Sequence, residues 1–119
     1  MKIKIGATRK VFIFKNFVMK MPNTISFPYY LYGILGNYQE KIRQKEHFDL
    51  AKVLWCSPFY IFLIMEKANP IIDMDEASFV RKIKEKYKND DLRDFMLLDL
   101  KIDNWGYIGD HLVKIDYAN

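Results

Sequence analysis

Along the chain the spacing of apolar residues changes from strand-like to helical and back more than once. From Lys2 to Met21 β-branched and aromatic residues are dense, with breaks at Gly6-Ala7-Thr8-Arg9 and Lys15-Asn16, which predicts three short strands joined as a meander. Pro22, Asn23-Thr24 and Pro28 stop that sheet. Leu31, Ile34, Leu35, Tyr38 and Ile42 then recur at helical spacing, predicting an amphipathic helix of about four turns. Val53–Trp55 and Tyr60–Met65 read as strands around a Cys56-Ser57-Pro58 turn, and Asn69-Pro70 marks a connection. Asp73 or Asp75 can cap a second helix whose Phe79, Val80, Ile83 and Tyr87 share one side. A short helical piece is expected from Asp91 to Leu98. Trp105–Ile108 and His111–Ile115 then form a hairpin turned by Gly109-Asp110.

Composition narrows the class. The 119 residues leave room for one compact domain, and 50% hydrophobic with 16% aromatic content supplies a core, so disorder is not expected. A net charge of +4 favours anionic ligands such as phosphates without demanding nucleic acid. The basic run from Arg81 to Lys88 therefore reads as a solvated helix face, and nucleic acid as an unlikely partner. Cys56, the single cysteine, cannot form an internal disulfide, which points to a reducing cytoplasm. The N-terminus shows no signal-peptide pattern. The most apolar run, Val53 to Met65, is broken at Ser57-Pro58 and falls short of the roughly 20 residues a bilayer span needs, so no membrane partner is expected.

The candidate chemistry lies near the end of the chain, in D-L-K-I-D-N at 99–104, W-G-Y-I-G-D-H-L-V-K-I at 105–115 and D-Y-A at 116–118. Taken singly, Asp99 and Asp103 read as turn residues flanking a hairpin, Asn104 as a helix or turn cap and Asp116 as a residue near the carboxyl terminus. Taken in order, the stretch resembles the catalytic loop and metal-binding turn of the protein-kinase-like superfamily, H-R-D-L-K-x-x-N, a hairpin, then D-F-G. Asp99, Lys101, Asn104 and Asp116 match the pattern; Leu97-Leu98 replaces His-Arg, and Asp116-Tyr117-Ala118 replaces D-F-G. Earlier in the chain, F-V-M-K at 17–20 resembles V-A-I-K and places Lys20 on the third strand. Glu40, opposite the Leu31/Leu35/Tyr38 stripe and on the face of Gly33, Gly36 and Asn37, is the candidate partner; its alternative is a solvent-exposed pair with Arg43 or Gln44, and Glu46 is held in reserve. Lys20 also admits a plain edge-strand reading. Gly6-Ala7-Thr8-Arg9 stands where a glycine-rich phosphate loop would be, and M-E-K-A at 65–68 stands at the hinge position.

The resemblance implies an α+β, protein-kinase-like fold in one minimal domain, residues 1–119. Residues 1–66 would form an N-lobe antiparallel sheet with one helix, and 67–119 a reduced helical lobe with the catalytic-loop hairpin. It implies ATP and Mg²⁺ as cofactors: Asn104 and Asp116 as metal ligands, Lys20 and Glu40 on the nucleotide phosphates, Gly6 and Thr8 in the phosphate-covering loop. Asp99 would accept the proton of the attacking hydroxyl, and Lys101 would neutralise transferred charge. The likeness stops where an activation segment would begin, which leaves a phosphotransferase or an inactive kinase-like protein that docks on a host or partner protein. W-C-S-P-F and L-G-N-x-Q-E look like segments of small phage or bacterial kinase-like proteins, so the expected setting is the cytoplasm, the host's if phage-encoded. A protein substrate and a homo-oligomer are further expected partners.

Overall fold

The computed structural model describes residues 1–118 as a mixed α+β chain with two antiparallel sheets and few helices. It divides into two compact units, residues 1–67 with Ala118, and residues 68–117.

In the first unit, β1 (Lys2–Ile5), β2 (Arg9–Ile13) and β3 (Phe17–Pro22) form the expected meander, with Lys2 opposite Ile13 and Val11 opposite Lys20. Its first turn is closed by Gly6 N–H donating to the Arg9 carbonyl, its second by Phe14 N–H donating to that of Phe17. After α1 (Phe27–Arg43) the chain returns as β4 (Val53–Cys56) and β5 (Leu63–Glu66). The strand order is β1-β2-β3-β5-β4, so β3 is the central strand and Lys20 is not on an edge. The strand expected from Tyr60 begins three residues later, at Leu63. Pro58–Tyr60 instead make a 3₁₀ turn with positive φ at Phe59 and Tyr60, and the Ser57 hydroxyl accepts the Phe62 N–H at 2.9 Å.

The Ser26 side chain caps α1, and Pro28 occupies its first turn, where a missing N–H costs nothing. Its packing reverses the usual rule for an amphipathic helix. Gly33, Gly36, Asn37 and Glu40 are buried, whereas Leu31, Leu35, Tyr38 and Ile42 are 48%, 47%, 39% and 52% exposed. The reason is steric and polar. A Cβ on Gly33 would collide with the Thr8 carbonyl oxygen and lie 2.6 Å from the Pro22 Cα, so the helix approaches the sheet backbone more closely than any larger side chain permits. Asn37 donates through Nδ2 to the carbonyls of Lys20 (3.3 Å) and Tyr60 (2.9 Å), joining the helix to two further segments. At the helix end the Gln44 side chain accepts the Val53 N–H at 2.8 Å and fixes where β4 starts.

In the second unit, α2 (Glu76–Lys86) is capped by Asp75, whose carboxylate accepts the Ser78 N–H at 2.8 Å. That bond holds the Asp75 carboxyl below its ordinary pKa. Phe79, Ile83 and Tyr87 turn inward, and the lysines face water. The third helix, α3 (Arg93–Met96), is shorter than the expected 91–98, because Asp90 Oδ1 takes the Leu92 N–H at 2.8 Å in a preceding turn. The hairpin pairs β6 (Trp105–Ile108) with β7 (His111–Lys114) around Gly109 at φ 62°, one residue short of Ile115. Trp105 sets the core here, its ring 6.0 Å from Phe79 and 5.8 Å from Tyr87. No helix among the described residues is long and apolar enough to cross a membrane.

Replacing Gly33 by Ala is expected to destabilise the chain by about 1–3 kcal/mol, the cost of forcing atoms into filled space. Leu35→Gln, on the exposed stripe, is expected to stay within about 0.5 kcal/mol of the wild type. Chemical denaturation of both variants measures the contrast, and equal losses would contradict the inverted packing.

Candidate functional site

Two of the predicted residues meet in the first unit. Lys20 Nζ lies 2.9 Å from Glu40 Oε1 and 3.1 Å from Oε2, so the ammonium straddles the carboxylate. The solvent-exposed alternative for Glu40 is thereby overturned: its exposure is 0%, and its carboxylate lies against Lys20 and Arg9. Glu46 is exposed beyond the end of α1. Three elements produce the meeting. Antiparallel pairing puts Lys20 opposite Val11 on the central strand, and the glycine face of α1 lowers Glu40 onto that strand.

Arg9, a turn residue by sequence, completes the cluster. Its Nη1 donates to Glu40 Oε1 at 2.6 Å and to Asn37 Oδ1 at 3.2 Å. A buried carboxylate flanked by two buried cations is an ion cluster whose members depend on one another. Burial alone raises the Glu40 pKa, but the charges of Lys20 and then Arg9, with their hydrogen bonds, outweigh it and bring the pKa from 4.5 to about 2. In the sequence Arg9 is marked only as one of two cations ahead of the apolar Val11-Phe12-Ile13.

Gly6 and Thr8 belong to a turn held from below. The buried Asn23 donates its N–H to the Thr8 carbonyl at 2.8 Å and its side-chain amide to the Gly6 carbonyl at 2.9 Å. Gly6 and Ala7 remain exposed at its tip. Met65, first of the M-E-K-A residues, is buried in β5. Burial pushes the Cys56 thiol up against the opposing charge of Lys41, which disfavours its nucleophilic thiolate.

The second unit gathers the remaining candidates. Asp99 stands just past α3 with φ 45°, a left-handed conformation uncommon outside glycine and tolerated best by Asp and Asn. Asn104 Nδ2 donates to its carbonyl oxygen at 2.9 Å and to its Oδ2 at 3.1 Å, while Lys101 Nζ lies 3.5 Å from Oδ1. Asp99, Lys101 and Asn104 are therefore one cluster. The Asn104 carbonyl accepts the Ile115 N–H at 2.8 Å, which brings the start of the hairpin against the residue before the exposed Asp116. The amide nitrogen of Asn104 is committed to Asp99, which leaves its amide oxygen as the side-chain atom of a type that a hard cation such as Mg²⁺ accepts. Among the described residues no three His, Cys, Asp or Glu side chains are grouped to hold a metal ion.

Because the folded-state pKa of Glu40 lies below its ordinary value, its ionised form stabilises the fold above about pH 4.5, and that contribution of about 3 kcal/mol fades as pH falls towards 2. Glu40→Gln is expected to lose about 3–5 kcal/mol at pH 7, since both cations lose the negative charge they share, and to show a flatter stability profile between pH 2 and 4.5. Urea titrations across that range check both expectations. No family model matches the chain, and neither a curated protein nor a solved structure matches it.

Proposed function

We propose that the chain is a kinase-like, ATP- and Mg²⁺-dependent phosphotransferase of the cytoplasm. The observation that carries this reading is the buried Lys20–Glu40 pair, a third-strand lysine gripped by a glutamate of the next helix, as the kinase-like resemblance requires. A sheet of five antiparallel strands, with α1 between β3 and β4, supports the same reading. So does the grouping of Asp99, Lys101 and Asn104, three of the four residues matching the catalytic-loop pattern.

In this reading Glu40 orients the Lys20 ammonium, which binds the α- and β-phosphates of the nucleotide. Asp99 accepts the proton of the acceptor hydroxyl as its oxygen bonds to the γ-phosphorus and the bond to the β-phosphate oxygen breaks, releasing ADP. Lys101 offsets charge on the transferred group. Asn104 and Asp116 would hold Mg²⁺, which neutralises the phosphate oxygens when bound.

A second reading, a kinase-like docking protein without turnover, is favoured by the exposed Leu31, Leu35, Tyr38 and Ile42 of α1. Residues 1–67 carry eleven Lys and Arg against four Asp and Glu, a net +7, whereas residues 68–117 carry eight against eleven, a net −3. Apolar positions at helical spacing on a strongly basic unit fit an acidic amphipathic helix of a partner protein and disfavour a second copy of the same unit.

Saturating ATP with Mg²⁺ is expected to raise the thermal midpoint, by an amount equivalent to about 2.7 kcal/mol at a hundredfold excess over Kd. Lys20→Met and Asp116→Ala are expected to abolish the rise. A wild-type chain that shows no shift and transfers no phosphate contradicts the first reading. For the second, an acidic amphipathic peptide is expected to bind the wild type and to lose at least tenfold in affinity on Leu35→Glu; equal affinities, or a dimer in sedimentation, contradict it.

A further inference from the structure

Lys114 is a buried cation that the proposed chemistry leaves without a role. It ends β7 with 0% exposure. A lysine ammonium has three donors and no acceptor. Here Nζ lies 3.1 Å from the Phe95 carbonyl, 3.4 Å from that of Met96 and 3.0 Å from that of Leu98, with the Phe95 ring centroid 5.3 Å away. These carbonyls belong to the last turn of α3 and the residues just beyond it, where helical geometry leaves oxygens with spare acceptor capacity; that of Phe95 also takes the Leu98 N–H at 3.3 Å.

The Leu98 carbonyl is part of the peptide unit that leads into Asp99. Fixing its direction fixes that peptide plane, and the φ of 45° at Asp99 then sets where the carboxylate leaves the chain. Asn104 holds the same residue from the other side through its carbonyl and Oδ2. Lys114 is also paired in register with Trp105, the residue after Asn104, and stands two residues before Asp116. One ammonium therefore ties the loop carrying the candidate base to the hairpin whose ends carry the candidate metal ligands.

We infer that Lys114 is a positioning residue: by holding the carbonyls of residues 95, 96 and 98 it sets the Asp99 carboxylate in the orientation needed to accept the hydroxyl proton, without itself touching substrate. The inference rests on the phosphotransferase reading. The three carbonyls satisfy donors that a buried ammonium would otherwise leave unpaired, and because all three belong to one short stretch leading into Asp99, meeting that requirement also fixes the loop.

The test is Lys114→Met, which keeps length and removes the donors, beside Lys114→Arg, which keeps the charge. In the Met variant kcat is expected to fall about a hundredfold, the scale of a misplacement near 1 Å, while KM for ATP stays within twofold. Amide hydrogen exchange at residues 98–104 is expected to quicken relative to β6, and the Arg variant is expected to recover at least tenfold in kcat. A folded Met variant with unchanged kcat and unchanged exchange overturns the inference while leaving the phosphotransferase reading intact. A wild-type chain without transfer overturns that reading, and the catalytic role of Lys114 with it. If the Met variant does not fold, the wild type decides: its Lys114 ammonium is expected to exchange slowly and to show scalar coupling to the carbonyl carbons of Phe95, Met96 and Leu98. Absence of that signature overturns the inference.

Discussion

A carboxylate with no access to water survives only where positive charge and hydrogen bonds replace its hydration, and Glu40 meets that condition through Lys20 and Arg9. Much of the first unit follows from this requirement. The helix must lie close enough for a glutamate to reach the central strand, so its buried face is made of Gly33, Gly36 and Asn37 rather than of leucines. The arginine enters from the start of β2, and its carbonyl also closes the Gly6–Arg9 turn, so the turn and the cluster share a residue. With the inward face given to glycine and polar atoms, the apolar stripe of α1 has nowhere to go but outward.

The second unit handles a buried lysine differently. Lys20 faces an opposite charge, whereas Lys114 faces backbone dipoles at the end of a four-residue helix. An ion pair can be oriented by either member, whereas carbonyls converging on an ammonium draw the chain that carries them together. The first arrangement joins a strand to a helix through opposite charges; the second gathers the residues that follow a short helix. Asp99, left-handed and fastened by Asn104, follows directly on that gathered stretch.

Local signals read well from the sequence. The meander, the Asp75 cap and the Gly109-Asp110 hairpin each rest on a few adjacent residues, and each was legible to within a few positions. Lys20 and Glu40 were legible as a pair because a motif and a helical wheel pointed to the same two residues. Three things were not legible. Arg9 looked like a turn residue because its partners lie 28 and 31 positions away. Lys114 looked like one more strand lysine because its acceptors are backbone oxygens, which no sequence pattern reveals. The outward stripe of α1 was hidden because periodicity shows that a helix has two faces and not which one is packed.

The separations within the Glu40 cluster also set an order of events. The contacts that admit this carboxylate to the interior come from residues 20 and 31 positions earlier, so docking α1 before the meander exists would bury a charge with nothing to meet it. Strands β1 to β3 can pair through local contacts alone. Docking of the helix is therefore the later step, with the meander as nucleus, and substitutions in the cluster will alter unfolding speed more than folding speed.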